Sequence, residues 1–323
     1  MLCDEVVAGG APGSGCDVGV VLPRLRAAQK FVLGPEFAAV AEALSCDYSG
    51  LVRVFDRCRL PFAETWLEVA AADRPGFCAA GMQAPMFQVA PRRVGFLLSA
   101  TRADLSAWKA HLFWSTEKGR SAAALCMRFD MTRPIGHALE VPSEEEVPSR
   151  LRSAVVPHVQ THPGWTDAPE AVRLAMVNHT EPGLADWGLP PPVGLPPDKW
   201  EAFYDVVMEL ARSDWAGEAS YLLAVVGLLN ARNAVEAQDV DHGRLNHARA
   251  KRGKPPLFSH KVLNIAGRQQ RRYGGEDGGG HHAPAREHFC RGHFKARRTG
   301  VFFWHPHLRG SARRGRVEKE YHL

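Results

Sequence analysis

Residues 287–310 concentrate the side chains best suited to chemistry. Arg291, His293, Lys295, His305, His307 and Arg309 alternate there with Phe289, Phe294, Phe302, Phe303 and Trp304. Arg and Lys hold phosphates, while rings and guanidinium planes stack on bases, so this mixture suits a nucleic-acid surface. Phe289–Arg297 and Val301–Arg309 are expected to form a hairpin joined by Arg298-Thr299-Gly300, with Gly300 at the left-handed position of a three-residue loop. That register pairs Arg297 with Val301, Lys295 with Phe303, His293 with His305 and Arg291 with His307. One face then carries Arg291, His293, Lys295, His305, His307 and Arg309, with Phe289 and Phe303 among them. Cys290, Phe294, Ala296, Phe302, Trp304 and Leu308 share the other, because side chains alternate with period two.

The same face admits other readings. His305-Pro-His307 plus a cross-strand His293 gives three imidazoles with the spacing of a catalytic zinc site. Against metal stand the neighbouring cations, which repel Zn²⁺, and the intervening proline. Metal-free His/Lys cleavage of RNA needs similar residues, which keeps a nuclease open. A solvated basic face needs no site at all. A second cationic piece, Arg249, Lys251, Arg252 and Lys254, is expected on a helix end and the loop beyond it, since Gly253 and Pro255 break the helix. Such cations track phosphates without reading sequence. His281-His282 sit in a glycine-rich loop without fixed geometry, so no metal is assigned to them.

Charge supports a polyanionic partner. Between Arg244 and Leu323 there are 19 Lys+Arg against 5 Asp+Glu, whereas the preceding 243 residues hold 21 against 30. The whole-chain value of +5 therefore conceals an acidic body and a basic C-terminal region. The seven cysteines never form a Cys-x-x-Cys pair, which argues against a zinc ribbon or a disulfide scaffold and fits a reducing cytoplasm. No apolar run approaches the roughly 18–20 residues needed to span a bilayer. The acidic start, Met1-Leu-Cys-Asp-Glu5, is unlike a secretory leader, so no membrane partner is expected.

Several catalytic patterns fail on context. Gly9–Gly15 lacks the Lys-Ser/Thr of a phosphate loop. Ser115-Thr-Glu-Lys118 falls at a strand end, and His158…His162 is bracketed by Pro157 and Pro163. Asp239-Val-Asp241-His242 reads as a polar loop ending a helix. Glu64 and Glu68 face one side of a strand about 13 Å apart, too far for a retaining-glycosidase pair, with Trp66 packed between them. No catalytic residue, metal ligand or cofactor is assigned.

The elements that must position these residues give an α+β chain. Residues 1–34, rich in Gly and Ala, are expected as a flexible leader. An α+β body over 35–181 begins with helical spacing from Pro35 to Arg57. Its strands Thr65–Val69, Arg93–Ala100, His111–Ser115 and Ala123–Phe129 follow one another as an antiparallel meander. A turn at Glu117-Lys118-Gly119 and a long insert from Asp73 to Pro91 interrupt them. Helix starts are expected at Ser143 and Pro169, within an otherwise unassigned stretch over 134–197. Pro182 and the run Leu189–Pro197 imply a semi-rigid linker over 182–197. A helical pair over 198–243 is capped by Asp198 and Asp214, and a basic β-rich module over 244–323 includes a strand at His260–Ala266.

Taken in order, several segments resemble a group of uncharacterised tailed-phage and prophage proteins. They are Leu60-Pro-Phe-Ala-Glu-Thr-Trp66-Leu-Glu68, Arg93-Val-Gly-Phe-Leu-Leu98, Leu229-Asn-Ala-Arg-Asn233, Leu245–Leu257, His288-Phe-Cys-Arg-Gly-His-Phe-Lys295, Val301-Phe-Phe-Trp304, His307-Leu-Arg-Gly310 and Gly315–Tyr321. The resemblance runs from about residue 55 to the end. It implies a phage or prophage origin and action in the bacterial cytoplasm, but brings no activity and hence no catalytic residue. In that group the position of His305 more often reads as Arg, which weakens the three-histidine metal site and leaves the cationic reading intact. The expected function is binding of DNA or RNA by the basic module. The alternatives are docking onto an acidic host or phage protein, or a histidine- or metal-based nuclease.

Overall fold

The computed structural model describes residues 1–11, 17–46, 50–51, 53–74, 91–132, 180–188, 196–200, 215, 218–267, 286–309 and 311–317. Eight strands make one mixed sheet. They are β1 (Gln29–Leu33), β2 (Glu64–Ala70), β3 (Arg93–Ala100), β4 (Ala107–Thr116), β5 (Gly119–Asp130), β6 (Thr180–Leu184), β7 (Val235–Val240) and β8 (His260–Ile265), in the order β6-β5-β4-β3-β2-β1-β8-β7. The expected meander is present as β2 to β5, each antiparallel to the next. Glu117-Lys118 closes the β4–β5 turn, with Thr116 opposite Gly119 at φ 137°, a conformation that favours glycine.

Helices cover both faces, which is why the central strands are apolar on both sides. On one face α3 (Pro35–Ser45) and α4 (Glu218–Asn230) bury Phe37, Ala41, Leu44, Leu222, Leu223 and Val226 against Leu67, Val69, Phe96 and Leu98. On the other, α1 (Leu2–Gly9) and α2 (Leu22–Ala27) bury Leu2, Val6 and Leu25 against Trp66, Leu97 and Phe113. Helices with a mixed sheet make the class α+β.

Residues 1–34 are not a flexible leader where they are described. Leu2, Cys3 and Val6 form a buried stripe on α1, and β1 lies inside the sheet, parallel to β2 and β8. Glu68 anchors α1: its fully buried carboxylate accepts from the N–H groups of Leu2 (2.9 Å) and Cys3 (3.4 Å), where the helix dipole favours negative charge. Glu68 also accepts from Trp66 Nε1 at 3.1 Å and pairs with Arg93 Nε at 2.8 Å. Glu64 accepts from Ser99 instead, at 2.6 Å.

Three further expectations change. Pro182 is not linker but part of β6, opposite Met127, a place open to proline because β6 is a sheet edge. Residues 235–240 are strand β7 rather than the end of a helical pair, so Asp239 lies on a strand. β8 forms as expected, yet it pairs with β1 and β7, which puts the start of the basic region inside the main sheet. The insert over 75–90, the expected helix starts at Ser143 and Pro169, the proline run over 189–195, Asp214, and His281-His282 lie outside the described residues.

Candidate nucleic-acid interface

The C-terminal cations ride on a two-stranded ribbon built from four short strands. These are β9 (Arg286–Cys290), β10 (His293–Arg297), β11 (Gly300–Trp304) and β12 (His307–Arg309). β10 pairs with β11 and β9 with β12, both antiparallel. His293 opposes Trp304, Lys295 opposes Phe302, Cys290 opposes His307 and Phe289 opposes Leu308. One register therefore runs through both halves, and a bend at Arg291-Gly292 and His305-Pro306 separates them. A Cβ on Gly292 would come within 3.0 Å of Phe303 and 3.1 Å of Pro306, so a side chain on the inside of the bend would press on both rings. A further strand, β13 (Ser311–Arg316), runs along the free side of β9.

This register differs by one residue from the one expected, because the turn holds two residues, Arg298-Thr299, and not three. A one-residue slip moves one strand's side chains to the opposite face. Phe294 (4% exposed), Val301 (3%) and Phe303 (1%) enter the core beside α4. Gly227 on α4 makes room, since a Cβ there would lie 2.9 Å from Phe294. Phe303 is thus removed from the cationic face. Phe302 and Trp304 take its place beside His293, Lys295 and Arg297.

The outward face consequently mixes charge and ring. Lys295 Nζ sits 4.1 Å from the Trp304 ring centroid, and the Arg297 guanidinium lies 5.8 Å from Phe302. Trp304 remains 38% exposed, and the paired Phe289 and Leu308 remain 49% and 48% exposed. Arg291, Arg297, Arg298 and Arg309 are exposed as well, but the slip that buries Phe303 also carries His307 and Arg309 to the side of the β9–β12 pair opposite Phe289 and Leu308, off the face on which they were expected.

Asn233, just after α4, docks the ribbon. Its side chain donates to Phe303 O (2.9 Å) and accepts from Phe303 N (3.0 Å), imitating a neighbouring strand. Arg232 N adds a bond to Val301 O at 3.1 Å, and Arg57 donates to the carbonyl of Arg297.

The three histidines are not gathered. His293 faces Trp304, His307 faces Cys290, and His305 lies in the bend with its ring edge-on to Phe303 at 4.9 Å. His293 and His307 each direct Nδ1 to a carbonyl two residues back, at 3.0 and 2.9 Å. Among the described residues no group of His, Cys, Asp or Glu is arranged to hold a metal ion.

The other cationic piece is elsewhere. Helix α5 (Gly243–Ala250) leads into an exposed loop bearing Lys251, Arg252 and Lys254, folded back by Arg249 Nε on Pro255 O at 2.9 Å. Asn246 fixes the loop through two bonds to Leu257, and Phe258 N reaches Asp4 at 2.7 Å. The loop thus sits at the Val240/His260 end of the β7–β8 pair, whereas the ribbon docks at the Val235 end. The strand between them spans about 17 Å at 3.3 Å per residue.

Two polar clusters carry no signal in the linear sequence. Asp186, beyond β6, binds Lys109 Nζ (2.6 Å), Arg24 of α2, and His111 Nε2 at 3.4 Å. Burial pushes His111 down to about 4 against the pull of Asp186. Burial would raise Asp186, but bonds from Lys109 and Arg24 prevail and hold it at about 2. Cys126 stands opposite His111, yet burial raises its thiol, so the pair is poised against a thiolate nucleophile. In the second cluster Arg74 lies between Glu42 and Glu218, each at 2.8 Å, with its guanidinium 3.7 Å over Tyr221. Burial raises Glu218, opposed by Arg74. In each cluster every charge has an opposite partner, one carboxylate shared by two cations in the first and one guanidinium shared by two carboxylates in the second, and both read as structural clasps.

Comparison with models of protein families, with curated proteins and with solved structures finds no match for this chain, so the geometry of its own residues carries the functional reading.

Proposed function

We propose that this is a phage- or prophage-type protein that binds nucleic acid in the bacterial cytoplasm through its C-terminal ribbon. The observation supporting the reading is unmatched charge: Lys295, Arg297, Arg298 and Arg309 form no ion pair among the described residues. Cations held on a docked ribbon and its turn without carboxylate partners are free to displace counterions from a phosphate chain. Arg249, Lys251, Arg252 and Lys254 form a second patch that a longer polymer can reach.

Fluorescence anisotropy with a labelled oligonucleotide at about 50 and 200 mM salt tests the proposal. Binding should weaken steeply with salt, each phosphate contact adding about 0.7 to the log–log slope for a single strand. The quadruple variant K295Q/R297Q/R298Q/R309Q should lower that slope by about 3. Its urea transition should stay cooperative with a loss of no more than about 2 kcal/mol, since surface substitutions change stability by about 0.5 kcal/mol or less each. No binding at about 50 mM salt, or binding indifferent to salt, overturns the reading. In that case, capture of an acidic protein that survives nuclease treatment would favour protein docking instead.

A further inference from the structure

Resting on that nucleic-acid reading, we infer that the ribbon is built for a single strand, with phosphates following β10 and bases lying over β11. The outward face is divided lengthwise. β10 supplies His293, Lys295 and Arg297, and β11 supplies Phe302 and Trp304 directly opposite. Same-face side chains recur about every 6.7 Å along a strand and the strands lie about 4.8 Å apart, the scale of one extended nucleotide step and of its sugar.

A duplex would use only the cationic stripe, because its bases are already stacked on one another. The aromatic stripe needs bases that are free. The choice of buried ring points the same way: Phe303 is 1% exposed, whereas the larger Trp304 next to it stays 38% exposed. Lys295 Nζ occupies the place over the indole that a base would take. A base sliding onto Trp304 displaces that ammonium toward the adjoining phosphate, so stacking and charge pairing reinforce each other. Beyond the bend, Phe289 and Leu308 offer a second apolar platform, again beside a cation, Arg291.

The test uses the full chain and probes of equal length: oligo-dT, oligo-U, an abasic sugar–phosphate strand, and a duplex. At least one of oligo-dT and oligo-U should bind about fivefold to 150-fold tighter than the abasic strand, the worth of one stacked base. Trp304→Ala should remove most of that advantage, and a cooperative urea transition like that of the parent chain shows that the variant is folded. Trp304→Phe should retain most of the advantage, and Lys295→Gln should weaken base-bearing and abasic strands alike. Equal affinity for base-bearing and abasic strands overturns the inference, as does a duplex bound as tightly as a strand. In either case a normal salt slope leaves the broader nucleic-acid reading standing. If no probe binds at about 50 mM salt, that reading falls and this inference falls with it.

Discussion

The body and the ribbon use the same residue types in opposite ways. In the body Arg74, Lys109, Arg24 and Arg93 each meet a carboxylate; Arg93 meets one on the neighbouring strand, and the other three meet partners from distant elements that the pairs tie together. On the ribbon Lys295 and Arg297 meet aromatic rings, and no carboxylate is placed to neutralise them among the described residues. Those four body cations are held in ion pairs, whereas the charge of Lys295 and Arg297 stays available. The contrast teaches that cation count is a weak guide to a binding surface, whereas the identity of each cation's partner is a strong one.

The largest test of that contrast is Arg74→Met. Removing the shared cation leaves Glu42 and Glu218 buried without compensation, and urea unfolding should show a loss of about 3–5 kcal/mol. A loss below about 1 kcal/mol would mean the cluster is not a clasp.

Acid should act next. His111 titrates at about 4 in the folded chain and near 6.5 when unfolded, so the unfolded state binds the extra proton between those values. Stability should therefore fall by about 3 kcal/mol from pH 7 to pH 4. Below that, Asp186 adds a further loss as pH drops toward about 2. His111→Gln should flatten the first slope, and urea midpoints at pH 7, 5.5 and 4 would show it. An unchanged slope would place the acid sensitivity elsewhere.

Asn233→Ala is the smallest change and the one that crosses from body to ribbon. It strips two hydrogen bonds from Phe303, worth about 1–3 kcal/mol of docking. Faster hydrogen exchange in β10 and β11 with an unaltered body, together with weaker oligonucleotide binding, is the expected result. Binding that survives undocking would show that the ribbon works independently of its seat.

What the sequence makes legible follows the range of the interactions. Residues 64–70 and 93–130 carry their own strand pattern and turn signals, and they hold four strands that follow one another as expected. β1 does not announce itself: five residues between α2 and Gly34 become a central strand only because β2 and β8 flank them. The ribbon's cations are visible in sequence, but its register is not. Val301–Trp304 are all apolar, so alternation cannot say whether Phe303 or Trp304 turns inward, and the turn length decides. The clasps are invisible for a related reason, with Arg74 and Glu218 standing 144 positions apart.

The place of β1 also shapes how the chain is made. Leu33 pairs with Leu263, 230 positions later. A ribosome adding about 5–20 residues per second needs roughly 10–50 s to cover that interval. Throughout that interval the outer edge of β1 presents bare N–H and C=O groups, the template on which strands of other chains add. A transcript cut short before His260 would therefore yield more than a protein lacking its C-terminal surface. It would leave the middle of the sheet open as an adhesive edge, and the nascent chain depends on uninterrupted translation to close it.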